Sequence, residues 1–238
     1  MLDFNRQNIS STDISRLING VLDAGALTEE REAKRLYLGA SGIGSECLRK
    51  VQYDWQRDSI HAARTKRIFA RGHAFEEITV KALAQAGFRM ERGTQRTGFS
   101  AVDGLFRGHA DGILVDGPLF LKYPCLWEHK ALGSSGWKKL EKDGVRKAYP
   151  QYFDQCQLYM AYLDLTDHPA LFTAVNADNC EILHELIPFD STAAQAASDR
   201  AVLVIKATQA RELLDRISNK PDDWRCKMCN HRTECWTE

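Results

Sequence analysis

The sequence predicts an α/β fold, because its elements follow the order helix, three strands, helix, strand. A hydrophobic content of 44% over 238 residues is sufficient for a substantial core in a single domain. Residues 71–87 have the spacing of an amphipathic helix, whereas residues 125–132 form a short and mostly apolar strand pattern. We therefore expect one compact domain that contains both helices and a sheet.

Three helical segments are predicted in the N-terminal third of the chain. The first covers the initial 35 residues and would be capped by Ser11 or Thr12. Its apolar positions are Ile14, Leu17, Ile18, Val21 and Leu22. After a Gly/Ser turn, residues 46–70 predict a basic helix, and residues 71–87 predict a helix that ends at Gly87. The expected core face of this third helix consists of Phe75, Ile78, Ala82 and Leu83.

Strand patterns occupy the middle of the chain. Residues 88–100 predict one strand, and residues 105–121 predict a hairpin or meander. Turns are expected at Asp103–Gly104 and Asp116–Gly117. The segment 125–132 predicts a further strand that only three polar residues interrupt.

Helices and strands alternate in the C-terminal half. A flexible Gly/Ser loop is expected at 133–136, and Pro150 would begin a helix over 149–165. Two strands are predicted within 171–189, followed by a long helix over 191–217. The cysteine-containing tail has no regular pattern and is expected to be irregular.

The formal net charge is zero, so the chain has no global basic field that would attract nucleic acid. Contact with DNA would therefore depend on a local patch, and residues 49–71 contain a candidate. Its basic residues are Arg49, Lys50, Arg57, Arg64, Lys66, Arg67 and Arg71. The same arrangement would also suit the solvated face of a helix.

The seven cysteines raise the question of the redox compartment. The first ten residues lack the apolar segment of a signal peptide, and no stretch approaches the roughly 20 apolar residues that span a membrane. These features predict a cytoplasmic protein with no membrane contact. Thiols stay reduced in that compartment, where clustered cysteines bind metal more often than they form disulfides.

Two charged residues share one face of the predicted strand 125–132. Glu128 and Lys130 are two positions apart, and charges among apolar neighbours are costly unless they are paired or bound to metal. Asp111 follows Gly108 in a preceding strand, from which its carboxylate can approach Glu128. Paired carboxylates suit Mg²⁺ or Mn²⁺, and Lys130 would add positive charge beside a phosphodiester. A buried Glu–Lys ion pair without metal is the alternative interpretation.

Two pairs of residues at helical spacing accompany these charges. Gly72 and Glu76 form a GxxxE pattern, and Gln155 and Tyr159 form a QxxxY pattern. Residues four apart lie on the same face of a helix, so Gln155 and Tyr159 can reach one site. Each pair alone is a weak signal, and Tyr159 alone would more simply be a core residue.

The C-terminal tail contains the spacing C-x2-C-x5-C at Cys226, Cys229 and Cys235. Three cysteines in a short tail with few apolar neighbours favour a metal site over unliganded thiols. A zinc ion would take His231 or Cys47 as a further ligand, whereas a [4Fe–4S] cluster would take Cys47 as its fourth thiolate. The remaining cysteines fall within helix or strand patterns and are expected to be ordinary buried residues: Cys125, Cys156 and Cys180.

In this order, the motifs GxxxE, GxAD, ExK and QxxxY resemble the RecB-like branch of the PD-(D/E)XK nucleases, over roughly residues 40–238. The resemblance implies a restriction-endonuclease-like core, in which helices flank a mixed central sheet. It implies that Asp111, Glu128 and the backbone carbonyl of His129 bind Mg²⁺ or Mn²⁺, and that Lys130 is catalytic.

The helix-borne motifs of that branch correspond to further residues of this chain. Glu76 matches the position of the acid or histidine that assists the metal, and His73 and Glu77 are its neighbouring candidates. Gln155 and Tyr159 match the pair that positions DNA and the active site.

One cysteine before the core and three after it resemble the iron–sulfur subset of these nucleases. That subset includes the CRISPR-associated RecB-like adaptation nuclease and the AddB nuclease domain. The resemblance implies a structural [4Fe–4S] cluster on Cys47, Cys226, Cys229 and Cys235. The expected organisation is an N-terminal helical segment over 1–70, a nuclease core over 71–190, and a last helix with the iron–sulfur subdomain over 191–238.

The resulting hypothesis is a metal-dependent DNA nuclease, most simply an exonuclease that acts on single-stranded DNA or DNA ends. Its setting would be recombination, repair, a phage or CRISPR adaptation. The sequence has no GxxxxGK[ST] motif, so unwinding would require a helicase or another recombination or adaptation partner. The alternatives are a non-catalytic nucleic-acid-binding module and a zinc-binding hydrolase.

Overall fold

The computed structural model describes residues 10–28, 35–57 and 61–237. The strands of the described residues are β1 (Leu38–Gly39), β2 (Arg89–Glu91), β3 (Gly98–Ala101), β4 (Phe106–His109), β5 (Gly112–Asp116), β6 (Cys125–Leu132), β7 (Ala170–Asn176) and β8 (Ile182–Ile187). Their helices are α1 (Ser11–Thr28), α2 (Leu48–Gln56), α3 (Ala63–Gln85), α4 (Ser134–Ala148), α5 (Pro150–Tyr162), α6 (Ser191–Gln209), α7 (Trp224–Lys227) and α8 (Arg232–Thr237).

The central sheet is mixed and has the strand order β2-β5-β6-β7-β8. Its middle strand, β6, is antiparallel to β5 and parallel to β7. A second, smaller sheet has the order β1-β4-β3. The predicted fold class, a mixed central sheet flanked by helices, is confirmed.

Strand β6 is covered on both faces, which explains its nearly continuous apolar sequence. On one face, Trp127 packs with Leu83 of α3 and Leu114 of β5. On the other face, Leu126 belongs to a larger core that includes Leu158 of α5. A charged side chain in the middle of β6 is therefore placed inside the protein. None of the helices in the described parts of the chain combines the length and hydrophobicity of a membrane span.

The N-terminal helices differ from their predictions in extent and orientation. The predicted basic helix over 46–70 is two helices, since α2 ends at Gln56 and α3 begins at Ala63, with 58–60 outside the described residues. Helix α3 continues to Gln85, so the predicted segment boundary at residue 70 falls inside it. The three-segment organisation of the chain stays a prediction.

Helix α1 is capped one residue earlier than predicted, since the backbone N–H of Asp13 donates to Ser10 Oγ over 3.1 Å. Its apolar residues are exposed, from 40% for Ile14 to 74% for Val21, although the helix contacts α3. Asp23 pairs there with Arg67. The parts of the predicted N-terminal helix at 1–9 and 29–34 lie outside the described residues.

The buried face of α3 is also rotated from the predicted one. Thr79 and Leu83 are buried, whereas Ile78 and Ala82 face solvent. Amphipathic spacing alone could not separate these faces, because apolar residues occur on both.

Two strand predictions in the middle of the chain were wrong for a common reason. The predicted strand 88–100 is divided between β2 and β3, which belong to different sheets. The segment 105–121 is likewise divided between β4 and β5, although the predicted turn at Asp103–Gly104 does join β3 to β4. Strand pairing depends on distant segments, and a local pattern of alternation does not specify the sheet that a strand joins.

The C-terminal half was predicted more closely, with three corrections. The expected loop at 133–136 is largely the first turn of α4, and the helix predicted over 191–217 ends at Gln209. The tail is not irregular, because it contains the short helices α7 and α8. Pro150 begins α5 as expected, and β7 and β8 form the predicted pair of strands.

A buried glutamine connects α2 to the segment after α6. Gln52 is fully buried, its Nε2 donates to the carbonyl of Glu212 over 2.6 Å, and its Oε1 accepts from the N–H of Leu214 over 3.1 Å. We expect Gln52→Leu to lower the free energy of unfolding by about 2 kcal/mol, because it leaves two backbone groups without their partner. Denaturant unfolding measures the change. The exposed Gln85→Leu is the control, and equal stability of the two variants would contradict the prediction.

Candidate active site and cysteine cavity

The site is organised around Glu128, whose side chain is fully buried in the middle of β6. Gln155 of α5 donates from Nε2 to Glu128 Oε1 over 2.7 Å, and the ammonium of Lys130 pairs with the same oxygen. The second oxygen, Oε2, is buried and has no hydrogen-bond partner. Glu128 therefore presents one satisfied and one unsatisfied carboxylate oxygen.

Asp111 supplies a second carboxylate beside the first. Pairing between β5 and β6 ends at Gly112 and Trp127, and Asp111 lies just beyond that pair. Its Oδ2 accepts the backbone N–H of His129 over 2.8 Å and lies 4.0 Å from Lys130 Nζ. The structure thus brings Asp111, Glu128 and Lys130 together, as the strand spacing predicted.

Burial and neighbouring charges together set the pKa values of Glu128 and Lys130. Burial, reinforced by the charge of Asp111, raises the pKa of Glu128 to about 8. For Lys130, burial alone would lower the pKa, but the carboxylates of Glu128 and Asp111 outweigh it and raise the pKa. Lys130 is therefore held as an ammonium beside the two acids.

His129 points away from this site, to the face covered by α3. Its Nε2 lies 3.1 Å from Thr79 Oγ1, and burial lowers its pKa to about 4. The imidazole is thus a neutral packing group. Its backbone carbonyl remains the predicted ligand.

Three residues of α3 were candidates for the helix-borne acid or histidine. The side chain of Glu76 is 17% exposed, whereas those of Glu77 and His73 are 58% and 82% exposed. Burial and the nearby charge of Asp111 raise the pKa of Glu76. Glu76 is therefore the candidate that lies beside the carboxylates.

Arg92 also contacts this acid, although the sequence did not indicate it as a site residue. Its guanidinium pairs with Glu76 and with Glu77, and its Nε donates to the backbone carbonyl of Asp111 over 3.1 Å. Nothing in the local sequence distinguishes Arg92 from Arg89 or Arg96 of the same segment.

Gln155 contacts the site directly, and Tyr159 contacts it through Gln155. Gln155 contacts Glu128 directly, and its Nε2 also lies 3.3 Å from the hydroxyl of Tyr159. Gly108 allows this approach, because a Cβ at that position would lie 2.5 Å from the Tyr159 ring and 2.5 Å from Phe99. Close packing therefore explains why the first position of the GxAD motif is a glycine.

The donor set suits a hard cation. Within the described ranges, no group of three or more His, Cys, Asp or Glu side chains could hold a metal ion by itself. Asp111 and Glu128 contribute carboxylate oxygens, and the predicted carbonyl of His129 would add a third oxygen. Oxygen ligands, together with the unsatisfied Oε2 of Glu128, fit Mg²⁺ or Mn²⁺.

The four predicted cluster cysteines line one cavity of about 450 Å³. Cys47 directly precedes α2, and the other three lie in or between α7 and α8: Cys226, Cys229 and Cys235. Burial raises the pKa of Cys226 and of Cys229. Cys125 and Cys156 are buried, as expected, whereas Cys180 is exposed, so the prediction that it is buried was wrong. None of these three residues lines the cavity.

Polar contacts attach the tail to the N-terminal segment around this cavity. His231 Nε2 lies 2.7 Å from Asp54 Oδ1, and Arg57 pairs with Glu234 over 2.8 Å. His231 also lines the cavity, so the nitrogen ligand that the zinc alternative requires lies beside the cysteines.

Most of the predicted basic patch contacts the protein itself. Arg49 bonds the carbonyl of Leu214, Lys50 pairs with Asp54, and Lys66 donates to the carbonyl of Ala26. Arg57 and Arg67 have the ion pairs described above. Arg64 and Arg71 are exposed on one side of α3, seven residues apart. The structure therefore assigns intramolecular contacts to five of the seven residues.

The sequence matches no protein-family model and no curated protein. Solved structures do match. The chain is similar to an alkaline exonuclease (LHK-Exo) from Laribacter hongkongensis, with a TM-score of 0.53 and 15% identity over 81% of this chain and 93% of that one. The structure of LHK-Exo in complex with dAMP gives the same values. SSO0001 matches with a TM-score of 0.50 and 15% identity over 92% and 95% of the two chains. At this identity, the likeness establishes a shared fold.

Proposed function

We propose that this chain is a divalent-metal-dependent DNA nuclease whose site consists of Asp111, Glu128 and Lys130. The observation that carries the proposal is the buried Oε2 of Glu128, which has no partner although Oε1 has two. A buried carboxylate oxygen is costly unless it is hydrogen-bonded or binds a cation. The proposal is supported by Asp111, whose Oδ2 lies 4.0 Å from Lys130 Nζ, so that a second carboxylate and an ammonium accompany Glu128.

The shared fold supports the finer proposal of exonuclease activity. One neighbour is an exonuclease, and it has been solved with dAMP bound. We propose that this chain acts on single-stranded DNA or DNA ends. A helicase or a recombination or adaptation partner would supply unwinding where the substrate is duplex.

Each residue of the site has a distinct task in this proposal. Asp111 and Glu128, with the carbonyl of His129, would hold Mg²⁺ or Mn²⁺, which lowers the pKa of a water molecule and neutralises phosphate charge. Lys130 places a fixed positive charge where the phosphodiester gains negative charge. Gln155 holds Glu128 in position by its hydrogen bond to Oε1, and Tyr159 supports Gln155.

We further propose that the cysteine cavity holds a structural [4Fe–4S] cluster. Four thiols that belong to two distant parts of the chain line the same space. Four thiolates are the usual ligand set of such a cluster, which would fasten the tail to the start of α2. Zinc bound by three of the cysteines with His231 or Cys47 is the alternative, and metal analysis separates the two.

The test is a cleavage assay on end-labelled single-stranded and double-stranded DNA. We expect cleavage with Mn²⁺ or Mg²⁺, and none with excess EDTA. Binding of DNA without cleavage under any of these conditions would favour the non-catalytic module instead. Release of mononucleotides from one end, rather than internal fragments, would support the exonuclease proposal.

The exposed arginines of α3 carry a separate prediction about DNA contact. We expect the double variant Arg64→Gln/Arg71→Gln to bind single-stranded DNA more weakly and to reduce the slope of log K against log salt by about 1.4, if each arginine neutralises one phosphate. Fluorescence anisotropy in EDTA measures the slope. An unchanged slope, equal to that of the control Lys142→Gln on α4, would favour the solvated-face interpretation.

A further inference from the structure

Arg92 connects three groups that belong to two separate elements. It lies just after β2, between α3 and the start of β5. Its Nη2 pairs with Glu76 and its Nη1 lies 2.8 Å from Glu77 Oε1, both on α3. Its Nε donates to the carbonyl of Asp111 over 3.1 Å. One guanidinium therefore joins a helix-borne acid to the backbone of the residue that carries the second carboxylate.

This connection offsets a repulsion that the site creates. Glu76 and Asp111 are both acidic, and Arg92 bonds the side chain of the first and the backbone of the second, so two acidic residues lie around one guanidinium. The planar guanidinium compensates their charge and fixes the geometry as well, since its donors are held in a rigid fork. The side chain of Arg92 is only 27% exposed, so solvent screens its ion pairs incompletely.

The contacts also leave part of Glu76 available. Arg92 bonds Oε1, whereas Oε2 lies 3.9 Å from His73 Nδ1, which is beyond hydrogen-bond distance. One oxygen is thus held by the arginine, and the other is not bonded by it.

We infer that Arg92 is a positioning residue, which holds Glu76 beside Asp111 and so prepares the site for its divalent cation. The inference rests on the proposed function, because it requires a cation at the carboxylates. Arg92 acts through Glu76 and through the backbone of Asp111, and it does not touch the reacting atoms.

The experiment measures Mn²⁺ binding by calorimetry on the purified full chain, without DNA. We expect Arg92→Gln to weaken Mn²⁺ affinity by about 10- to 100-fold, the range for partners of metal ligands. Arg92→Lys should remain weakened by about tenfold, because one ammonium cannot reproduce the forked contacts. Arg89→Gln is the matched control, since Arg89 pairs with Asp116 at the opposite end of β5. Its affinity should equal that of the wild type.

Several outcomes overturn the inference. Tighter Mn²⁺ binding by Arg92→Gln would make the arginine a competitor of the cation, and full recovery by Arg92→Lys would reduce its role to charge alone. Unchanged affinity in both variants would remove any role. If the melting curve of Arg92→Gln in EDTA shows that this variant does not fold, the Mn²⁺ affinity of Arg92→Lys tests the inference instead.

The same experiment distinguishes failure of the proposed function from failure of the role inferred for Arg92. The proposed function fails if the wild type and Glu128→Gln bind Mn²⁺ equally or not at all. The inference alone fails if Glu128→Gln loses Mn²⁺ and the Arg92 variants keep it. Cleavage gives a further readout, since raised Mn²⁺ should restore kcat in Arg92→Gln.

Discussion

Replacing Glu128 by glutamine is expected to reduce DNA cleavage by at least about a thousandfold while the protein remains folded. The amide keeps the shape of the side chain, and its oxygen can still accept the hydrogen bond from Gln155. It removes the negative charge that would bind the cation at the unsatisfied Oε2. Cleavage of end-labelled DNA in Mn²⁺ measures the loss, and circular dichroism measures the fold.

The exposed Glu181→Gln serves as the control and should cleave like the wild type. DNA binding by Glu128→Gln should persist, because the substitution does not alter the exposed face of α3. Cleavage at the wild-type rate by purified Glu128→Gln would refute the carboxylate site. Loss of DNA binding together with cleavage would instead indicate a structural defect.

Replacing Cys47 by serine is expected to remove iron and to lower stability together. Cys47 lies just before α2, and the other three cysteines of the cavity lie 179 to 188 residues later in the chain. Losing a cross-link between such distant segments costs about 3 kcal/mol by analogy with a native disulfide, or roughly 6–12 °C in melting temperature. Iron and sulfide analysis of anaerobically purified protein should find about four of each per wild-type chain.

Two cysteines outside the cavity provide controls of different kinds. Cys180→Ser should change neither iron content nor stability, because Cys180 is exposed. Cys156→Ser should keep its iron but lose some stability, since it places a hydroxyl at a fully buried position in α5. Stoichiometric zinc without iron in protein made under iron-replete, oxygen-free conditions would refute the cluster. The nuclease proposal would then depend on the carboxylate site alone.

The parts of the site that could be predicted are those that depend on short spacings. Glu128 and Lys130 share a face of β6 because side chains alternate along any strand. Gln155 and Tyr159 share a face of α5 because residues four apart do so in any helix, and Pro150 marks where that helix begins. Neither inference required knowledge of the rest of the chain.

The parts that could not be predicted depend on which distant segments meet. Arg92 resembles its neighbouring arginines in sequence, and only the packing of α3 against the start of β5 gives it Glu76 and Asp111 as partners. The contacts of most basic residues within 49–71 could not be predicted either, because their partners come from remote loops and helices. An excess of basic residues in a segment does not specify whether their side chains contact solvent, other parts of the protein or DNA.

The sequence by itself therefore determined the α/β class, the shared face of Glu128 and Lys130, the shared face of Gln155 and Tyr159, and the spacing of the cysteines in the tail. Only the tertiary structure decided that α1 exposes its apolar residues, that β2 and β3 join different sheets, and that Arg92 and Gln52 hold separate elements together. The physical reason is the distance along the chain between the residues that determine each feature. Local dihedral periodicity places side chains on faces, whereas burial and pairing are set by surfaces that only the folded chain brings into contact.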